Sequence, residues 1–93
     1  MGIERQKKEI LLRLKRIEGQ IRGIQRMIEE DSPCPDILNQ VAASTSALKK
    51  VCSLIIHTYT EECLDKMKSE PISQQGETLK DFQKVISRYI DIA

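Results

Sequence analysis

Six aliphatic residues, Ile10, Leu14, Ile17, Ile21, Ile24 and Ile28, recur at alternating steps of four and three. That spacing keeps one stripe in line along an α-helix, and it is incompatible with a strand, whose side chains change face at every residue. The stripe reads as the seam of a helix packed on another helix. Gly19 and Gly23 interrupt the segment but no proline does, so a first helix is expected over about 3–30. The pattern stops at Glu29-Glu30-Asp31-Ser32-Pro33. Ser32 is expected as N-cap of the next helix and Pro33 as its first residue, where a missing N–H is harmless.

The second segment, about 33–68, carries Leu38, Val41, Leu48, Val51, Ile55, Tyr59 and Met67 at helical spacing. Small side chains around Ala42-Ala43-Ser44-Thr45-Ser46-Ala47 permit a neighbouring helix to approach closely. Ser69 through Pro71 to Gly76 reads as a loop. A short third helix, about 77–91, then sets Leu79, Phe82, Ile86 and Tyr89 on one side. The fold class is all-α, one domain over 1–93 with three unequal helices. One Phe, two Tyr and no Trp leave Ile, Leu and Val to form the core. Chains this short often depend on oligomerisation. Two long helices joined by a turn make a hairpin, and hairpins with exposed seams pair into four-helix bundles, so a dimer is expected from packing alone. No run approaches the ~20 apolar residues of a membrane span and there is no signal-peptide pattern. A cytoplasmic protein without membrane contact is expected.

The formal net charge is only +1, but its distribution is uneven. From Arg5 to Arg26 there are eight Lys or Arg and two acids, Glu9 and Glu18. At about 100° per residue, Arg5, Lys8, Lys15, Arg16, Arg22 and Arg26 fall opposite the isoleucine seam, with Gly19 and Gly23 on the same side. A merely solvated face would mix its signs. This one points to phosphate contacts over about 32 Å, close to one turn of B-DNA at ~34 Å, with Lys49 and Lys50 extending it. No helix-turn-helix, zinc-finger spacing or aromatic platform is present, so DNA would meet a broad helical surface.

Three cysteines in a reducing compartment do not suggest a disulfide scaffold. Cys34 and Cys63 are 29 residues apart. An unbroken helix separates them by about 43 Å. If they act together, an antiparallel second subunit must bring its Cys63 to Cys34. Cys34 stands in the first turn of the second helix between two prolines, where N–H groups and the helix dipole favour negative charge, with Asp31 and Asp36 opposing. Cys63 lies four residues after Tyr59, on the same face. Cys52, among apolar neighbours, reads as a packing residue. His57 is six residues from Cys63, about 120° round the helix, and reads as a bystander rather than a metal ligand. A thiol oxidoreductase would show a close pair such as C-x-x-C or a base beside the nucleophile, and neither is present. A helical adaptor that binds no DNA is the blander alternative.

The block Arg13-Leu14-Lys15-Arg16-Ile17-Glu18-Gly19-Gln20-Ile21-Arg22-Gly23-Ile24, followed by Cys34, Gln40-Val41-Ala42-Ala43 and Cys63, resembles the copper-sensing operon repressor family (CsoR) over nearly the whole chain. The resemblance implies a three-helix protomer, an antiparallel four-helix-bundle dimer, a tetramer as a dimer of dimers, and no enzymatic activity or cofactor. It also implies operator double-stranded DNA as partner, held here by Arg5, Lys8, Arg13, Lys15, Arg16, Gln20, Arg22, Arg26, Lys49 and Lys50. The effector-sensing thiols become Cys34 and Cys63. Copper sensors of the family carry a histidine four residues before the second cysteine, and this chain has Tyr59 there. His57 matches a second-shell position beside the thiol pair in some of them. Keeping both cysteines without that histidine is similar to the persulfide-sensing branch (CstR). The resulting expectation is a repressor that senses persulfide or polysulfide. Cys34 attacks, and a di-, tri- or tetrasulfide bridge between subunits releases the DNA. The alternative is a Cu(I)-responsive repressor using Cys34 and Cys63 as ligands.

Overall fold

The structure, a computed structural model, describes residues 6–89. Three helices follow in order: α1 (Lys7–Glu29), α2 (Cys34–Ser69) and α3 (Ile72–Tyr89). Antiparallel α1 and α2 form the expected hairpin, and α3 packs on α2 alone among the described residues. The seam residues Ile10 and Ile17 bury against Val51, with Leu14, Ala47, Leu54 and Ile55 around them. Among the described residues no helix is long and apolar enough to cross a membrane.

The molecule measures 60 × 25 × 13 Å with a radius of gyration of 18.1 Å. A compact chain of this length would have a radius near 12 Å. An object this thin is little more than one layer of helices and cannot enclose much. Accordingly, among the described residues only Ile10, Ile17 and Val51 form the buried apolar core, while Ile21, Ile28, Leu38 and Leu48 remain about half exposed or more. Thr58, 2% exposed, satisfies its hydroxyl by donating to the Leu54 and Ile55 carbonyls of its own helix.

The α1–α2 turn differs from the expected cap. Ser32 closes α1 instead of opening α2. Its N–H donates to the Met27 carbonyl at 2.9 Å, and the Asp31 N–H donates to Ile28 at 3.2 Å, the paired bonds of a Schellman motif. Pro33 takes the cap position with no side-chain cap bond, which makes Cys34 the first helical residue and Pro35 the second. The motif forces Asp31 into the left-handed region at φ 55°. An L-residue there costs about 1–2 kcal/mol, and its carboxylate faces the negative end of α1. Glycine loses more backbone entropy on folding, which offsets part of the gain. Asp31→Gly is therefore expected to stabilise the protomer by about 0.5–1 kcal/mol, read as a higher urea midpoint. A lower midpoint would mean the carboxylate contributes more than the strained backbone costs.

The α2–α3 loop is shorter than expected. Only Glu70 and Pro71 separate the helices, and Gly76 lies inside α3. Polar side chains of α3 make this turn. Gln75 Nε2 donates to the Met67 carbonyl at 3.0 Å, joining the Glu70 N–H at the end of α2, and Thr78 donates to Glu70 Oε1 at 2.6 Å. Residues that read as loop for their polarity are the ones that tie the two helices together. Gly19 and Gly23, on the basic side of α1, have no close neighbour within the protomer. A Cβ at either would meet nothing within 4 Å among the described residues.

Candidate thiol pair and basic furrow

Because α2 runs unbroken for 36 residues, Cys34 and Cys63 do share one helix, and their ~43 Å separation stands. Cys52 lies on the same stripe. At about 100° per residue the three cysteines fall within about 20° of one another, with Leu38, Val41 and Tyr59 beside them. Cys34 is exposed, while Cys52 and Cys63 are half-buried. At the first turn of α2, Pro35 supplies no N–H, and those of Asp36 and Ile37 both donate to the Pro33 carbonyl, at 3.0 and 3.2 Å. Fewer donors are left there than the sequence suggests. Within one protomer, no three His, Cys, Asp or Glu side chains converge as a metal site among the described residues.

Tyr59 is fixed from two sides. Its ring packs on Phe82 of α3 with centroids 5.6 Å apart and planes tilted by 31°. Burial, and then a hydrogen bond to the Cys63 side chain, push the phenol above its usual pKa of 10.0, with the charges of Asp81 and Glu62 adding to the effect. The phenol therefore stays neutral at physiological pH, a poor donor to any metal. Tyr59 also lines an apolar groove of about 560 Å³ with Cys52, Ile55 and, from α3, Val85 and Tyr89.

The opposite face of the hairpin is basic. Two adjoining furrows of about 290 and 280 Å³ run along the α1–α2 seam and share Arg13 and Lys50. Arg16, Gln20 and Ser46 line one of them, and Ser53 and His57 line the other. Arg13 is braced by Glu9 at 3.1 Å. The expected DNA-binding set thus divides. Arg13, Arg16, Gln20 and Lys50 meet in the furrow, while Lys8, Lys15, Arg22 and Arg26 are exposed elsewhere on α1 and do not line it. Lys49, one residue from Lys50, is turned about 100° away. Arg5 lies outside the described residues. Gln20 has a packing role as well, since its Oε1 accepts from Ser44 Oγ across the hairpin at 3.3 Å. The hydrogen-bonding residue Ser44 was not singled out from sequence; its place among small residues signalled close packing only.

His57 does not lie beside the thiols. It faces the furrow with Arg13 and Lys50, and its Nε2 meets Glu61 Oε1 at 3.0 Å. Six residues of helix between it and Cys63 rotate it off the cysteine stripe, which corrects the second-shell expectation.

A helical hairpin with a basic furrow on one face and a cysteine stripe on the other suits a protein that couples DNA to a thiol-directed signal. The chain belongs to the metal-sensitive transcriptional repressor family, whose model matches residues 6–88. It is 44% identical over 89 residues to the copper-sensing transcriptional repressor RicR of Mycobacterium tuberculosis, covering 96% of this chain and 93% of that one. To the copper-sensing transcriptional repressor CsoR of Bacillus subtilis it is 41% identical over 85 residues, covering 86% and 84%. The solved structure of the nickel-responsive transcriptional regulator InrS superposes with a TM-score of 0.79 at 35% identity, over 88% of this chain and 90% of that one. The chain is thus a repressor of the metal-sensing kind and not an enzyme. These relatives favour a metal effector and give no support to the persulfide-sensing branch.

Proposed function

We propose that this protein represses transcription by holding operator DNA against the Arg13–Arg16–Lys50 furrow. It lets go when Cu(I) is bound between Cys34 of one protomer and Cys63 of the partner subunit. One observation carries the shared site: a single unbroken helix holds both thiols on one stripe, too far apart to meet within a chain. Antiparallel pairing that joins them puts the two-fold axis midway between residues 48 and 49. The same register sets exposed Leu38 against Tyr59 of the partner subunit and Val41 against the partner's Ile56, covering apolar surface that one protomer leaves bare. The furrow, on the far side of the hairpin, stays open to DNA. A dimer, and a tetramer built from two of them, belong to this proposal.

The copper-sensing relatives support Cu(I) as effector. The donor set fits a soft ion, since thiolates select Cu(I) and two of them satisfy it in a linear arrangement. Cys34 and the partner's Cys63 would hold the ion, which supplies a bond between subunits that the apo dimer lacks.

One observation favours a second effector, sulfane sulfur. Tyr59 gives no nitrogen donor and is held as a neutral phenol against Cys63. Two thiols without a third ligand suit redox chemistry. The Cys34 thiolate attacks the outer sulfur of a persulfide and expels a thiolate. The partner's Cys63 then attacks Cys34 Sγ and expels hydrosulfide, so two thiolates are oxidised and the sulfane sulfur is reduced. Sulfur retained before closure lengthens the bridge.

The deciding experiment selects a tight duplex from a random-sequence library, then adds Cu(I) or polysulfide to the reduced protein–DNA complex under argon. On the copper reading, one Cu(I) per thiol pair weakens DNA binding by about 5–150-fold and leaves the subunit masses unlinked. Release by polysulfide alone, with subunit-crosslinked masses carrying extra sulfurs, would establish the second reading instead. Cys34→Ala should retain DNA binding and ignore both effectors, while Cys52→Ala should respond as wild type.

A further inference from the structure

We infer that His57 completes a phosphate seat with Arg13, Lys50 and Ser53, so that protonation of this one histidine tightens the grip on DNA. The inference rests on the furrow being the DNA surface. Its own support is geometric. His57 lines the same furrow of about 280 Å³ as Arg13 and Lys50, with the Ser53 hydroxyl beside them and Leu54 at its floor. It is also well exposed, at 62% of its side chain, and so within reach of a ligand.

Glu61 Oε1 lies 3.0 Å from His57 Nε2, so a carboxylate stands beside the ring. A neutral imidazole offers one N–H donor and no charge. Protonation makes both ring nitrogens donors and adds a positive charge to the furrow. The charged groups around the ring are Glu61 and Lys50 on α2 and Arg13, with its partner Glu9, on α1. α3 contributes none to the furrow lining. Of these side-chain types only histidine changes charge between about pH 5 and 8, and the chain has a single histidine. The sign follows: DNA affinity rises as pH falls.

The test is fluorescence anisotropy of the full chain on a mixed-sequence duplex of about 30 bp, in a salt series at about pH 5.5 and about pH 8. Wild type is expected to bind about tenfold tighter at the lower pH, with the slope of log K against log salt steeper by about 0.9 for each seat engaged. His57→Gln should show one affinity and one slope at both pH values, and His57→Lys should keep the steep slope at both. A wild type whose binding ignores pH, or a His57→Gln chain that keeps the full pH response, overturns the inference and leaves the DNA reading standing. Absence of duplex binding at either pH overturns both.

Discussion

Lys50→Glu will weaken duplex binding about 100-fold at ~0.1 M salt, and Lys49→Glu, one residue earlier, will weaken it several-fold at most. Lys50 is shared by both furrows and sits opposite Arg13 across the hairpin. Reversing its charge removes one phosphate contact per protomer and places a carboxylate beside the Arg13 guanidinium, which then pairs inside the furrow instead of with DNA. Two contacts are lost in a dimer, each worth on the order of tenfold, and the salt slope should fall by about two. Lys49 is equally charged but lies about 100° round α2 and lines neither furrow. Anisotropy titrations of both variants over a salt series decide the matter. Equal losses would mean DNA responds to net charge rather than to this surface.

Tyr59→His will raise Cu(I) affinity on the order of 100-fold. An imidazole at this position lies four residues before Cys63 and on the same face, so it can join a thiolate pair as a third donor. Tyrosine offers only a phenol, neutral at physiological pH, which burial and the Cys63 hydrogen bond push further from ionisation. The substitution also loses the ring contact with Phe82, about 1 kcal/mol of α3 docking. Tyr59→Phe, which keeps the ring and loses only the hydroxyl, separates the two effects. Competition against a Cu(I) chelator gives the affinities. If Tyr59→His binds Cu(I) no better than Tyr59→Phe, position 59 is not adjacent to the ion and the two-thiolate geometry must be redrawn.

The two predictions differ in how much of their basis was visible in the sequence. The thiol geometry was visible early: helical periodicity and the absence of a break between Pro35 and Ser69 place Cys34 and Cys63 on one helix. The exchange of histidine for tyrosine could also be read there, once the family was recognised. How that tyrosine is held could not, because the Phe82 ring and the Asp81 charge that surround it come from α3. The basic character of α1 was equally plain. Its division into a furrow and an outer ridge was not, since the division depends on which flank of α1 receives α2.

Two boundaries were misplaced for the same physical reason. Ser32 has the chemistry of an N-cap, but the turn its N–H closes onto Met27 leaves it one residue before Pro33, which takes the cap position. The stretch from Ser69 to Gly76 is polar, yet Gln75 donates back to Met67 of α2 and Glu70 accepts from Thr78 of α3, so the helix starts at Ile72. Local propensity cannot weigh a bond whose acceptor lies on another helix.

His57 shows the division most clearly. Counting residues fixed its angle from Cys63, because that angle is a property of one helix. What it faces was settled by the crossing of α1 over α2, which brings Arg13 to the same furrow and leaves the cysteines on the far stripe. The sequence by itself determined three helices, their apolar seams and the placing of both thiols on one of them. Those features depend on periodicity along a single axis. Which charges meet in the furrow, and how Tyr59 is held, only the tertiary structure decided, because each depends on contacts between residues far apart in the chain.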